Sequence, residues 1–327
     1  MKQTILVTGG HGFVAHALVA RLVADGFAVR CTVRAGRPEV PSTVRVVRTG
    51  PIDASTDWRE AVAGVSAVVH CAARVHQLHD TADDALVEYR RVNRDGAARL
   101  ARQAAAAGVR RLVFLSSIKV NGERTLPGLP FRADDPVAPG DPYGLSKWEA
   151  EQQLAQIAAS SGLEVVVVRP PLVYGPGVKA NFRAMMKSLA RGTPLPFGAI
   201  DNRRSLIALP NLVDLLVVAL DHPAAAGRTF LVSDGESLST SELLRRMTRA
   251  LGRAPRLIAV PEPWLRRAFA LVGRGGLAQR LLDSLEVDIE PTCTTLGWRP
   301  PVGVDRALVD TAQHYLAGER PNPAAAG

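Results

Sequence analysis

The stretch Thr4-Ile5-Leu6-Val7-Thr8-Gly9-Gly10-His11-Gly12-Phe13-Val14-Ala15 narrows the choice of folds more than any other in this chain. A short apolar, β-branched run is broken by glycines, and a periodic apolar segment follows at once. That order predicts strand, tight turn, helix. Gly9 and Gly10 can adopt positive φ and let the turn close. Gly12 opens the helix, where the unpaired N–H groups of Phe13 and Val14 and the positive end of the helix dipole point outward. A pyrophosphate is the natural guest there. Ala15 stands three residues after Gly12, where a dinucleotide fingerprint has Gly or Ala. Phe13, Ala17, Leu18 and Leu22 form an apolar face suited to lie on a sheet. The competing reading is a glycine-rich turn that binds nothing. The position directly behind a first strand favours the phosphate site.

The remaining chain alternates in the same way. Strands are expected at 3–8, 28–33, 44–48, 66–71, 111–116 and 164–169, and helices at 12–25, 57–63, 82–107 and 143–161. Such alternation implies βαβ units and a doubly wound parallel sheet with helices on both faces. A dinucleotide-binding domain is expected over 1–171, with a return segment near 205–233. A smaller, mostly helical substrate-binding region is expected over 172–327.

At 327 residues the chain can bury a large core. Its 47% hydrophobic and 22% charged content resembles an ordinary enzyme, not a disordered or fibrous chain. The net charge of +9 comes mostly from scattered arginines, which fits an anionic small molecule and gives nucleic acid no basic run to bind. Cys31, Cys71 and Cys293 lack metal-ligand spacing and cannot all pair, so no metal and a reducing compartment are expected. The apolar stretch around Leu257–Val272 is cut by Pro261, Pro263, Arg266 and Arg267, which argues against membrane insertion. No signal peptide precedes the first strand, so a cytoplasmic location is expected.

The cofactor corner can be read residue by residue. An NAD site places an acidic residue near the end of the second strand. Here Val33 and Arg34 stand there, with Arg37 following. A guanidinium suits a 2′-phosphate, so NADP(H) is favoured over NAD(H). After the third strand, Pro51-Ile52-Asp53 offers Ile52 as an apolar adenine contact, with Asp53 one place late. Val68-Val69-His70-Cys71-Ala72-Ala73 is a buried strand running into Ala72 and Ala73, whose small side chains admit the cofactor. His70 is expected to be a core histidine. Arg74, Val75 and His76 follow at the carboxyl end of that strand, where substrates bind in open α/β sheets.

Ser116-Ser117 ends the fifth strand. Further on comes Asp141-Pro142-Tyr143-Gly144-Leu145-Ser146-Lys147. Tyr143 and Lys147 are four apart and share one helix face. A free tyrosine, with a pKa of about 10, is a reluctant acid or base. A neighbouring ammonium and an oxidised nicotinamide favour its phenolate. A serine hydroxyl in reach can hold the substrate oxygen. A Tyr-x-x-x-Lys spacing alone arises often by chance, but behind a phosphate loop and a Ser-Ser strand end it is specific. Later, Arg203-Arg204-Ser205 precedes an apolar strand, and Arg204 is the arginine expected to hold a diphosphate. Ser239-Thr240-Ser241-Glu242 has the form of a capping box.

Over nearly its full length the chain resembles the extended short-chain dehydrogenase/reductases, the nucleotide-sugar epimerase/dehydratase/reductase group. The resemblance rests on the glycine turn, Val92-Asn93-Arg94-Asp95-Gly96, Ser116-Ser117, Tyr143-Gly144-Leu145-Ser146-Lys147, Arg169-Pro170-Pro171-Leu172-Val173-Tyr174-Gly175-Pro176-Gly177 and Leu296-Gly297-Trp298-Arg299-Pro300. It implies that Tyr143 moves the proton, Lys147 binds the nicotinamide ribose and tunes Tyr143, and Ser117 holds the reacting oxygen. It makes Asn93 a structural residue near the centre, and it sets Pro170 against the carboxamide and Asn181 beside the nucleotide. Ala15, Arg34 and Pro51 depart from the family pattern, the last two at the cofactor's adenosine end. The segments Leu115–Glu123 and Asp141–Glu151 look more narrowly like bacterial reductases of UDP-4-keto-6-deoxy-N-acetylhexosamines, which serve surface polysaccharide (O-antigen) synthesis. In that likeness Lys119 and Asn121 are the substrate contacts to inspect.

The expected reaction is hydride transfer from NADPH to the C4 ketone of such a UDP-sugar, with Ser117, Tyr143 and Lys147 as the catalytic group. The alternatives are a UDP-sugar 4-epimerase that keeps its NAD, a non-catalytic NADP-sensing protein, and a reductase of some other ketone. Helices near Leu257–Leu285, with Trp264 and Phe269, are expected to cap the substrate, their aromatics in the core. Helices 82–107 and 143–161 offer a face for a homodimer.

Overall fold

The computed structural model describes residues 3–36, 38–75, 84–126 and 128–319. Arg37 and His76 lie outside them. Ten strands are present: β1 (Thr4–Thr8), β2 (Ala28–Val33), β3 (Arg45–Arg48), β4 (Ala67–His70), β5 (Arg111–Leu115), β6 (Glu164–Arg169), β7 (Leu172–Tyr174), β8 (Arg204–Ala208), β9 (Thr229–Leu231) and β10 (Ser237–Leu238). Seven form one sheet in the order β3-β2-β1-β4-β5-β6-β9. Every pairing in it is parallel. The order reverses between β1 and β4, and ligands of open α/β sheets bind above the carboxyl ends at such a point.

The central strands β1, β4, β5 and β6 are largely apolar because both faces are covered, whereas edge strand β3 exposes Arg45 and Arg48. Successive side chains alternate between two cores. Ile5, Val7, Val69, Val113 and Val166 pack on one side with Ala15, Leu18, Leu212 and Leu216 from helices Phe13–Ala24 and Leu209–Asp221. Leu6, Val68, Leu112, Phe114 and Val165 pack on the other with Ala97, Leu100 and Ala101 from helix Gly96–Ala106 and Ala150 and Leu154 from helix Pro142–Ser161. A fully buried Leu or Val contributes about 1.5–3 kcal/mol, so the two layers supply most of the fold's stability.

A second, three-stranded sheet runs β10-β8-β7. Around it helices Ala180–Ala190, Thr240–Ala250 and Val304–Glu319 enclose a separate core with Tyr174, Phe182, Met186, Met247 and Leu308. The main sheet's last strand, β9, comes from this later part of the chain and pairs with β6. The Ser239 cap is present, its hydroxyl accepting from the Glu242 N–H. Trp298 is buried and donates from Nε1 to Asp214.

The long helix expected over 82–107 is divided. Ala85–Tyr89 is α-helical, Arg90–Asp95 is a wider π turn, and Gly96–Ala106 is α-helical again. Residues 82 and 83 lie outside the described segments. Such single π turns occur often at functional sites. Here the extra residue turns Asn93 inward.

Candidate active site

At the end of β1, Gly9 has φ +78°, and a Cβ on it would sit 3.0 Å from the Ala72 Cα. Only glycine lets the ends of β1 and β4 close up this way. Helix Phe13–Ala24 starts at an extended Gly12, with no side-chain cap and no acidic residue in its first turn. Its first N–H groups are therefore left for an anion. A cavity of about 930 Å³ adjoins the turn at Gly10, Gly12 and Phe13, but it runs back along helix residues such as His16, Arg21, Val213 and His314, and neither Ala72 nor Lys147 lines it. The part of it at Gly12 and Phe13 borders the open helix start, where an anion would sit.

Farther along the same edge, Arg34 is exposed just past β2, with no ion pair among the described residues. Ile52 is buried, while the Asp53 carboxylate is held by Ser55 and lies 3.7 Å from Arg91. Ala72 donates its N–H to the Thr8 hydroxyl, which bonds His70 Nδ1 at 2.8 Å. His70 is 1% exposed and stacks on Phe114. Burial, and then the Lys147 charge, depress its pKa to about 3. It is a neutral core residue.

The candidate catalytic residues lie at the carboxyl end of β5. Asp141 caps helix Pro142–Ser161, accepting from the Gly144 N–H at 2.7 Å, and Pro142 fits the first turn. This start brings Tyr143 to Ser117. Desolvation raises the Tyr143 pKa to about 12, the nearby Ser117 hydroxyl works against that rise, and the Asp141 charge adds to it. Lys147 is 1% exposed, donates to the Leu115 carbonyl at 2.8 Å and lies 4.4 Å above the Phe114 ring. Burial lowers its pKa to about 8, with Glu151 opposing. It therefore stays largely charged at neutral pH. Three groups distant in sequence thus meet at one strand end: a phenol held neutral, a hydroxyl and a buried ammonium. Pro170, just past β6, accepts from the Ile118 N–H and fixes the Ser117 turn.

Behind them lies a buried polar network. The Ser116 hydroxyl bonds Glu151, and Glu151 receives Arg169 Nε at 3.0 Å and Nη2 at 2.5 Å. Arg169 also donates to the Asn121 carbonyl oxygen at 3.0 Å, and the Asn121 amide donates to the Arg132 carbonyl at 2.7 Å. Asn121, expected as a substrate contact, is 1% exposed with both ends of its amide engaged in holding Arg169 and the Arg132 carbonyl. Lys119, also expected as a substrate contact, is likewise engaged. Its ammonium is bound by Asp141 and lies 3.3 Å from Glu123, clamping the start of the Tyr143 helix. Asn93 accepts from the Arg74 N–H and donates to the Arg74 carbonyl and to Ser146.

Toward the open side, the Arg74 guanidinium lies 5.5 Å from the Tyr89 ring centroid, and Tyr89 meets Tyr143 edge-on at 6.0 Å. Tyr89 was not singled out by any motif. Of the later arginines, Arg203 pairs with Glu286 at the surface. Arg204 donates to the Asp283 carbonyl; burial lowers its pKa, the Asp283 charge opposes that, and the Arg280 charge lowers it further. A buried guanidinium such as Arg204, with a second cation acting on it, suits a diphosphate. Arg280, on helix Gly275–Leu282, carries no local sequence signal for that role. Asn181 is exposed in the first turn of its helix. Phe269 stacks on Phe197, but Trp264 is 65% exposed, not core.

Comparison with known proteins gives this geometry a context. Residues 5–233 match the model of the NAD dependent epimerase/dehydratase family. The chain is 46% identical over 319 residues to a Vibrio cholerae protein named UDP-glucose 4-epimerase, covering 97% of this chain and 96% of that protein. A Mycolicibacterium smegmatis protein of the same name is 31% identical, covering 95% and 97%. Among solved structures, the Bordetella bronchiseptica enzyme WbmG in complex with NAD superposes with a TM-score of 0.76 at 23% identity, over 97% and 95% of the two chains. MoeE5 in complex with UDP-glucose and NAD does so with 0.76 at 24%, over 97% and 100%. At those identities the structures speak to the fold alone.

Proposed function

This chain belongs to the NAD dependent epimerase/dehydratase family, and on that premise we propose that it works at C4 of a UDP-sugar, as a UDP-sugar 4-epimerase. The observation that carries the reading is the 46% identity, over nearly both full lengths, to a protein of that name. A nicotinamide, when bound in its oxidised form, would take the C4 hydride and return it to the opposite face. Gly9, Gly12, Phe13 and Val14 would hold its pyrophosphate, Arg34, Ile52, Ala72 and Ala73 would line the adenosine side, and Lys147 and Pro170 the nicotinamide side. Tyr143 moves the C4 hydroxyl proton. The neutral phenol is ready to act as acid, and the Lys147 ammonium, one helical turn on, would favour the phenolate when Tyr143 acts as base. Ser117 hydrogen-bonds the same sugar oxygen as charge develops on it. Arg204 and Arg280 would grip the diphosphate, leaving Arg74 and Asn181 for the sugar and the base.

A second reading keeps the same proton chemistry and makes the protein an NADPH-dependent reductase of a UDP-4-keto-6-deoxy-N-acetylhexosamine. Exposed Arg34 favours it, because a guanidinium there suits a 2′-phosphate and a reductase must exchange its nucleotide every turnover. One experiment separates the two. The purified protein is assayed for bound nucleotide, then given UDP-glucose or UDP-N-acetylglucosamine with no added cofactor. Bound NAD with interconversion of the C4 epimers supports the epimerase. Inertness there, with NADPH oxidation on the 4-keto sugar, replaces it with the reductase. Inertness in both assays overturns both.

A further inference from the structure

Helices Glu262–Leu271 and Gly275–Leu282 form a hairpin, and its inner side is accounted for. Leu265 is buried with Ile200, Ala278 and Leu282, and Phe269 packs against them. The outer side is unusual. Trp264, Arg267, Ala268 and Leu271 follow at helical spacing, and all are exposed. Trp264 is 65% exposed, Leu271 87%, and Val272 at the hairpin tip 66%. Gly273 turns the chain at φ +67°, and exposed Arg274 completes the tip. Ile258, on the connection leading into the hairpin, is 55% exposed, two residues from exposed Arg256.

The charges around this face are one-sided. Arg256, Arg267 and Arg274 have no ion pair among the described residues, whereas the nearby acids Glu262 and Asp283 are both taken by Arg266. An apolar stripe with a tryptophan, flanked by unpaired guanidiniums, matches a bilayer interface: apolar side chains enter the acyl boundary and cations meet anionic headgroups. No helix among the described residues is long and apolar enough to cross a membrane, so contact would be peripheral.

We propose that this hairpin docks the protein on an anionic lipid surface, with Trp264, Leu271 and Val272 inserted and Arg256, Arg267 and Arg274 on the headgroups. The hairpin also carries Arg280 on its inner side, so docking would hold the substrate region at the membrane face.

The test uses the full-length protein and vesicles of phosphatidylcholine with or without phosphatidylglycerol, read by co-sedimentation and tryptophan emission. The expected result is partition onto the phosphatidylglycerol vesicles that weakens as salt rises, with a blue shift absent from Trp264→Phe. Trp264→Ser with Leu271→Ser, and separately Arg267→Glu with Arg274→Glu, should each weaken partition about tenfold or more. Unchanged circular dichroism and melting temperature would show both variants folded. Absence of wild-type partition, or equal partition by the folded variants, overturns the proposal. So does a wild-type dimer in sedimentation that the Trp264→Ser, Leu271→Ser protein cannot form, because the stripe would then be a contact between copies. Binding to RNA that survives loss of the apolar pair, without binding to vesicles, overturns it too.

Discussion

Among single residues, Tyr143 has the sharpest expectation. Removing only its hydroxyl takes away the proton path and leaves the glycine turn intact. Tyr143→Phe should lower kcat by about a thousandfold while nucleotide binding, followed by fluorescence titration, stays near wild type. A variant with a tenth of the wild-type rate would contradict the assignment. His70 sets a different test. Its folded pKa of about 3 lies below its ordinary 6.5. As pH falls through 6.5 the unfolded chain binds a proton that the fold refuses, so stability drops until about pH 3. His70→Gln should therefore flatten the acid limb of urea unfolding across that window, by up to a few kcal/mol at its lower end. Lys147 gives a slope of the same sign in a more alkaline window. Its folded pKa of about 8 lies below 10.5, so between those values the fold sheds a proton that the unfolded chain keeps. Its burial penalty is thereby relieved as pH rises. The separate identities of Ser117, Tyr143 and Lys147 were legible from sequence because each sits at a strand end or helix start that local pattern marks. The bonds that Lys119 and Asn121 make to Asp141 and Arg169 were not legible, because those partners lie on other elements that no local pattern joins to them.

Among elements, the start of helix Pro142–Ser161 deserves the closest test, since Tyr143 moves wherever it moves. A Cβ on Gly144 would lie 2.7 Å from the Lys119 carbonyl oxygen, a backbone atom that cannot swing aside. Gly144→Ala should cost about 1–3 kcal/mol of stability by overpacking and depress kcat more than KM, as Tyr143 is pushed off Ser117. Lys119→Met leaves the Asp141 charge beside Tyr143 unopposed, and that charge already pushes the phenol upward. The limb of the kcat/KM profile that reports Tyr143 should move to higher pH in Lys119→Met and return in Lys119→Arg. Helix starts and the first six strands could be read from caps, glycines and apolar runs. The π turn at Arg90–Asp95 could not, because one added residue barely disturbs the pattern of Arg90-Arg91-Val92-Asn93. Strands β9 and β10 have only three and two residues, and long-range pairing alone defines them.

For the whole molecule, the doubly wound sheet followed from alternation of apolar runs, but its last member did not. Val167, Val168 and Arg169 pair with Thr229, Phe230 and Leu231, which the chain reaches only after building β7 and β8 and the helices between them. A cofactor seated across β1 and β4 should steady this entire assembly. Nucleotide at a hundred times its dissociation constant adds about 2.7 kcal/mol, and comparing the melting shift from NAD with that from NADP measures the part Arg34 plays. The crossing of β9 has a sharper consequence. A polypeptide stopping at residue 171 would leave the backbone of Glu164–Arg169 as a bare apolar margin, ready to zip onto the same margin of its neighbour. Light scattering should find such a fragment clumping where the intact protein stays dispersed. Through β9 the chain that follows residue 171 is stitched back into the seven-stranded sheet, so the two parts share one backbone ladder.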